Sequence, residues 1–277
     1  MAIQSDSTVV IRAKTGPLDF SVKEIWQFRD LLLALSWRDI RLRYSQTFLG
    51  VTWVILQPLL GALVFTLVFS LIAKLPSGGT PYFVISYAGL LGWNLFSATL
   101  TRISSSLVSN ANLITRVFFP RIILPLETIP CALLDFFIGL GFMIVLVLMF
   151  HLHPAFGILL VPIAVSILIV TALGIGLVAA SLAVRYRDIQ HIVPLMLQLL
   201  MYGSPVGYSM SAVPGRVRQI YSLNPLAAPI ECMRAGLIGT QAPDLSSLGY
   251  SAIVAILLFL IGAAVFRHNE RNFADVI

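Results

Sequence analysis

"RDIRLRYSQTFLGVTWVILQP", residues 38–58, crowds Arg38, Arg41 and Arg43 into six positions and then runs apolar for most of two dozen residues. Arginine cannot be deprotonated, so these charges must sit in water, at lipid phosphates or against acidic partners, whereas the stretch that follows wants hydrocarbon. Such a junction reads as a membrane surface, and it decides the fold class.

The rest of the chain agrees. Of 277 residues 58% are hydrophobic and only 11% charged, against about 25% charged in a soluble domain; the mean hydropathy is +0.93. The sequence therefore reads as an all-α integral membrane protein, one transmembrane domain over 1–277. A tail and interface helix occupy 1–49, the spans 50–266, and a second tail 267–277. Runs near the roughly 20 apolar residues that a crossing requires occur at 51–73, 82–100, 131–150, 157–184, 189–209 and 248–266, which makes six spans. The fourth is long enough to tilt.

Charge placement gives orientation. With both termini cytoplasmic, fourteen Lys and Arg fall inside and only Lys74, Arg216, Arg218 and Arg234 outside, as the positive-inside rule demands. The first 20 residues lack the order of a signal peptide, so the N-terminus is expected to stay in the cytoplasm. The net charge of +6 borders apolar runs and forms no separate basic domain, which favours anionic membrane lipids over nucleic acid. Cys131 and Cys232 give no disulfide framework and read as packing residues.

The segments between spans carry their own patterns. Residues 22–42 place Ile25, Phe28, Leu32, Leu35 and Ile40 at roughly helical spacing, with Trp26 and Trp37 suited to the headgroup level; this is an amphipathic helix on the inner leaflet. Residues 109–130 are too proline-broken for a span and too apolar for a solvent loop, and are expected to lie at or re-enter the cytoplasmic surface. In 211–247, Pro225 and Pro229 divide the chain into two short helices dipping part-way into the outer leaflet, with Glu231 and Arg234 at i,i+3 able to pair. Asp135 lies well inside a span and Glu127 near its start; a proton relay and a structural pairing with an arginine of 109–130 are both open. His151 and His153 lack a third ligand nearby and read as interfacial, so no metal is expected.

Five stretches, "RDIRLRYSQTFLGVTWVILQP" at 38–58, "GLLGWNLFSATL" at 89–100, "NANLITRVFFPRIILPL" at 110–126, "VRYRDIQHIVPLMLQLLMYGSPVGYS" at 184–209 and "NPLAAPIECMR" at 224–234, occur in an order and spacing that resembles the membrane subunit of ABC-2 type polysaccharide exporters. The resemblance implies an inner-membrane permease for lipid-linked glycans such as O-antigen, a step of lipopolysaccharide biosynthesis, or for capsule or teichoic-acid polymers. It implies a homodimer, each copy forming half of a channel, with two separate ATP-binding subunits that hold ATP and Mg. The chain has no G-x-x-x-x-G-K-[ST] loop to cradle phosphates, so it is expected to be no enzyme and to carry no cofactor.

Site expectations follow from the resemblance and from the chemistry of a glycan. Arg38, Arg41 and Arg43 either recognise the phosphate of a lipid-linked substrate or serve as basic anchors or ATPase-docking residues. Asn112, Arg116, Phe119, Pro120 and Arg121, with Arg185, Arg187 and Asp188, are the gate and ATPase-coupling candidates; Asn224, Pro225, Glu231 and Arg234 are the outer-gate candidates. A sugar polymer presents hydroxyls and apolar C–H faces, so a passage wants aromatic rings and a few amides without strong charge. Trp53, Gln57 and Gly61 on the first span, Tyr87 and Asn94 on the second, and Gln198, Tyr202 and Tyr208 along the fifth meet that need. Helix packing competes as an explanation for the aromatics and less so for the amides, which need partners in hydrocarbon. An ABC-2 exporter of a drug or simple lipid, and a membrane-embedded glycosyl- or acyltransferase, are the other readings; for the last the sequence offers no catalytic constellation.

Overall fold

The computed structural model describes residues 22–45, 50–74, 79–154, 156–210, 215–240, 244–270 and 273. Every regular element among them is a helix. Val22–Gln27 (α1) and Arg29–Ser45 (α2) lead into Thr52–Phe65 (α3), which continues as a π-helix over Thr66–Ile72. Tyr82–Ser109 (α4), Ala111–Arg116 (α5), Ile123–Met149 (α6) and Val161–Ala183 (α7) follow, then Ile189–Tyr202 (α8), Gly215–Ser222 (α9), Ala227–Ile238 (α10) and Leu245–Glu270 (α11).

The architecture is organised around α4, the most enclosed of the long helices. It packs against α3, α6, α7, α8 and α10, and Ala88, Gly89 and Gly92 on it let neighbours approach closely. Buried side chains divide into two clusters. One gathers α2, the end of α4, the start of α6 and the ends of α7 and α11. The other fills the middle and the opposite end, where α10 sits with all twelve residues buried.

Among the described residues, five helical stretches are long and apolar enough to cross a membrane. The expected fifth span, 189–209, departs from this. Its helix stops at Tyr202, so 14 residues reach about 21 Å at 1.5 Å per residue, short of a hydrocarbon core of about 30 Å. The cause lies in "GSPVG", residues 203–207: a proline without an N–H between two glycines cannot continue the hydrogen-bond ladder. The third crossing differs in the other direction. α6 begins at Ile123, eight residues before the expected span and inside the segment read as proline-broken surface. Pro125 occupies its first turn, where no backbone donor is missed. The interface segment, read as one helix over 22–42, divides at Phe28 and runs on to Ser45.

The α7–α11 seam rests on two glycines. A Cβ on Gly262 would run into the backbone of Gly174, and one on Gly174 into Leu258 and Phe259. Gly262→Ala is expected to destabilise the chain by about 1–3 kcal/mol, read as a lower melting temperature in detergent. Gly141→Ala, where a Cβ meets open space, serves as the control. Equal melting of the two variants would show that the crossing has slack.

Candidate functional site

Two arginines of α2, Arg38 and Arg43, face acids on α6. Ser36 Oγ donates to the Glu127 carbonyl at 2.9 Å, which seats α2 along the first turns of α6. Arg38 lies 2.8 Å from Asp39 and 3.8 Å from Glu127, and it donates to Asn110 Oδ1 at 2.9 Å. Arg43 meets Asp135 at 2.9 Å, and Arg102 of α4 meets the same Asp135 oxygen at 2.5 Å. Tyr44 donates its hydroxyl to the other oxygen of Asp135. Burial, and then this hydrogen bond, push the Tyr44 phenol above its ordinary value, so it stays a donor. Arg41 projects outward, exposed, and its guanidinium makes no ion pair among the described residues.

Asp135 thus binds arginines from α2 and α4, where the sequence reading sought its partner in 109–130. Arg102 is the residue that reading missed. Ending the second span at residue 100 placed Arg102 outside it, whereas α4 runs to Ser109 and carries Arg102 to Asp135. The tail "TRISSS", 101–106, gave at most a weak signal: it holds no Gly or Pro to stop a helix, and its hydroxyls can be satisfied inside one by bonding back to its carbonyls. Ser104, Ser105 and Ser106 all do so.

At the same end lie the coupling candidates. Asn112 and Arg116 on α5 are exposed, Phe119 is buried, and Pro120 is partly covered. The Arg121 backbone N–H donates to Glu270 Oε1 at 3.2 Å, and its guanidinium donates to the Glu270 carbonyl, tying this segment to the last turn of α11. Arg185, Arg187 and Asp188 are exposed in the turn between α7 and α8.

The passage candidates separate by exposure. On α3, Trp53 and Gln57 are exposed and Gly61 is half-buried behind Leu90; on α8, Gln198 and Tyr202 are exposed. Both helices pack on α4, α3 also on α6 and α8 also on α7, and each keeps one exposed face. Asn94 is half-buried. Tyr208 is also half-buried, ring edge to face with Phe69 at 5.5 Å and Tyr221 at 6.2 Å. Tyr87 is the exception: it is fully buried and donates to the Gly139 carbonyl at 3.2 Å. Within one chain it is a packing residue and reaches no surface.

At the opposite end, the non-helical backbone after α8 is buried from Ser204 to Gly207, so its carbonyls need donors. The outer-gate candidates supply them. Asn224 donates to the Gly203 carbonyl at 2.9 Å and to Ser204 Oγ at 2.8 Å. Its Oδ1 accepts from Leu226 N–H at 2.9 Å, which turns the chain past the half-buried Pro225 into α10. Arg234, fully buried, donates to the carbonyls of Pro205 at 2.8 Å, Val206 at 3.0 Å and Ile85 at 3.3 Å, and lies 2.9 Å from Glu231. Glu231 in turn accepts from Met210 N–H at 2.5 Å.

Residues 30–238, from α2 to the last residue of α10, match the family described as ABC-2 type transporter. The chain belongs to that family. Among its relatives, it is 30% identical over 258 residues to the O-antigen export system permease protein RfbA of Myxococcus xanthus, covering 92% of this chain and 98% of that protein. It is 26% identical over 253 residues to the Klebsiella pneumoniae protein of the same name (90% and 95% covered), and 27% identical over 245 residues to the polysialic acid transport protein KpsM of Escherichia coli (86% and 93%). The ABC-2 match spans both the α2–α4–α6 ion cluster and the Arg234 cluster, and stops before α11.

Proposed function

We propose that the chain is the membrane-spanning permease subunit of an ATP-driven exporter that carries a polysaccharide across the cell inner membrane, and is itself no enzyme. One observation carries this reading: an ABC-2 chain that aligns almost end to end with permeases named for O-antigen export. Capsule and polysialic acid transport proteins match over nearly the same length. The substrate class proposed is a lipid-linked glycan, and energy comes from two ATP-binding subunits that hold ATP and Mg.

The geometry supports a route between two copies. α3 and α8 leave faces bare that carry Trp53, Gln57, Gln198 and Tyr202, and amides on such helices are costly unless they face water, sugar or another helix. Paired about a two-fold axis, those faces enclose a path that one small bundle cannot. In this reading α8 and residues 203–208 together make the fifth of six crossings, α9 and α10 close the outer mouth, and both termini are cytoplasmic. α5 and the α7–α8 turn, basic and exposed, receive the ATPase.

Leucine at Gln57, Gln198 or Tyr202 is expected to lower export roughly three- to tenfold while insertion, dimerisation and ATPase docking persist. Leu257→Val, on an exposed apolar position of α11, is the control. Export at the normal rate in all three leucine variants would remove α3 and α8 from the route. Orientation has its own check: with both native cysteines replaced, a cysteine at Leu223 is expected to react with an impermeant thiol reagent in intact cells, and one at Arg187 to stay silent. Labelling at Arg187 would invert the topology.

A further inference from the structure

An open cavity of ≈ 310 Å³ lies between α2, α4 and α6, lined among others by Asp39, Arg43, Arg102, Ser105, Asn110 and Cys131. Its volume is at the lower end of ligand pockets, which start at about 300 Å³. Most of its polar groups are already engaged. Ser105 donates to carbonyls of its own helix at 3.1 and 3.2 Å, Asn110 Nδ2 donates to the Ser106 carbonyl at 3.0 Å, and Asp39 is drawn to Arg38 at 2.8 Å. What remains unspent is a cationic donor: Arg102 Nη1 is buried and has no hydrogen-bond partner, although Arg102 Nη2 pairs with Asp135.

That arrangement selects the charge of a ligand. Two guanidiniums, Arg43 and Arg102, converge on the single carboxylate of Asp135, so a cation entering beside them meets repulsion, and a neutral group leaves the buried N–H under-solvated. A monoanion with two acceptor oxygens satisfies both needs, and a phosphodiester is such a group. The remaining carboxylates, Asp39 and Glu127, lie toward Arg38. Position fits as well. The cavity is open, and it borders exposed Leu42 and a partly exposed Arg43 at the step from α2, with its outward Trp37, to the apolar α3. A headgroup can therefore enter sideways while its acyl chains stay in hydrocarbon.

We propose that the α2–α4–α6 cavity binds the phosphodiester headgroup of an anionic membrane lipid, with Arg102 and Arg43 receiving the phosphate and Asp135 holding the two guanidiniums in place. This requires only that the chain spans a membrane, and it stands whatever the chain exports. Asp135 has a positioning role here and does not touch the lipid.

The test uses the full chain, purified in detergent, with retained lipid counted by native mass spectrometry. Phosphatidylglycerol is the probe and diacylglycerol, without a phosphate, the comparison. The wild type is expected to hold one phosphatidylglycerol per protomer and no diacylglycerol. Arg102→Gln should weaken that binding about tenfold. Because this variant also disturbs the ion cluster, Ser105→Leu supplies a second arm: it fills the cavity, removes only a hydroxyl bonded to its own helix, and should weaken binding to a similar degree. Arg29→Gln, exposed near the start of α2, should bind as the wild type does. Equal retention of diacylglycerol, or wild-type binding in both Arg102→Gln and Ser105→Leu, overturns the proposal. A polyprenyl phosphate, whose phosphate is a monoester, is added as competitor: no displacement supports a resident phospholipid at the site, and displacement at equimolar amounts overturns the phosphodiester assignment in favour of the phosphate of a lipid carrier.

Discussion

Methionine in place of Arg234 is expected to destabilise the protein by about 3–5 kcal/mol, the cost of breaking a buried pair by removing one partner. Arg234 is fully buried and bonds three carbonyls from two segments. Its loss leaves the Glu231 carboxylate without its cation and the backbone at 205–206 without donors. Lysine is expected to rescue little, because one ammonium on a flexible stem cannot fork to carbonyls on α4 and on the 203–207 segment together. The neighbour across the contact is fitted to the guanidinium: a Cβ on Gly89 would collide with Val206 and Arg234. Melting temperature in detergent and the yield of membrane-inserted chain read the effect. A lysine variant with wild-type stability would mean that charge alone matters there.

Asparagine in place of Asp135 is the second large effect. It leaves Arg43 and Arg102 converging on a neutral amide, and about 3 kcal/mol of stability is expected to be lost. The two partners are not equivalent. The Arg43 side chain is 43% exposed and that of Arg102 18%, so Arg43→Gln is expected to cost about 0–1 kcal/mol, as a surface pair does, and Arg102→Gln more. Combining Asp135→Asn with Arg102→Gln should recover part of the loss, with a coupling of about 0.5–3 kcal/mol. Additive single effects would show that Arg102 and Asp135 do not act as a pair.

These two clusters also show what the sequence disclosed. Composition and hydropathy were enough for an all-helical membrane protein, because hydropathy over some twenty residues is a strong signal. The Glu231–Arg234 pair was legible from its i,i+3 spacing and stands at 2.9 Å. The bonds from Arg234 to Ile85, Pro205 and Val206 were not, since they join residues 28 to 149 positions apart and depend on where α8 ends. Arg38 and Arg43 were recognised as charges in need of partners, yet which of water, lipid or acid would serve could not be read from α2 alone. The answer depended on α6 starting at Ile123, ahead of Glu127, where the prolines of 120–130 suggested surface chain. Tyr87 met the pattern of a passage residue by type and spacing; its burial against α6 is a tertiary fact that spacing does not carry.

The claim that this ABC-2 chain is a polysaccharide exporter permease has one direct measurement. The encoding gene is removed from its own cell, and the surface polysaccharide is compared with the polymer held inside. The expected result is polymer missing from the surface and accumulated on the cytoplasmic side, with export restored by the wild-type chain and restored only weakly by a chain carrying both Gln57→Leu and Gln198→Leu. Polymer reaching the surface in normal amount without the chain would contradict the account.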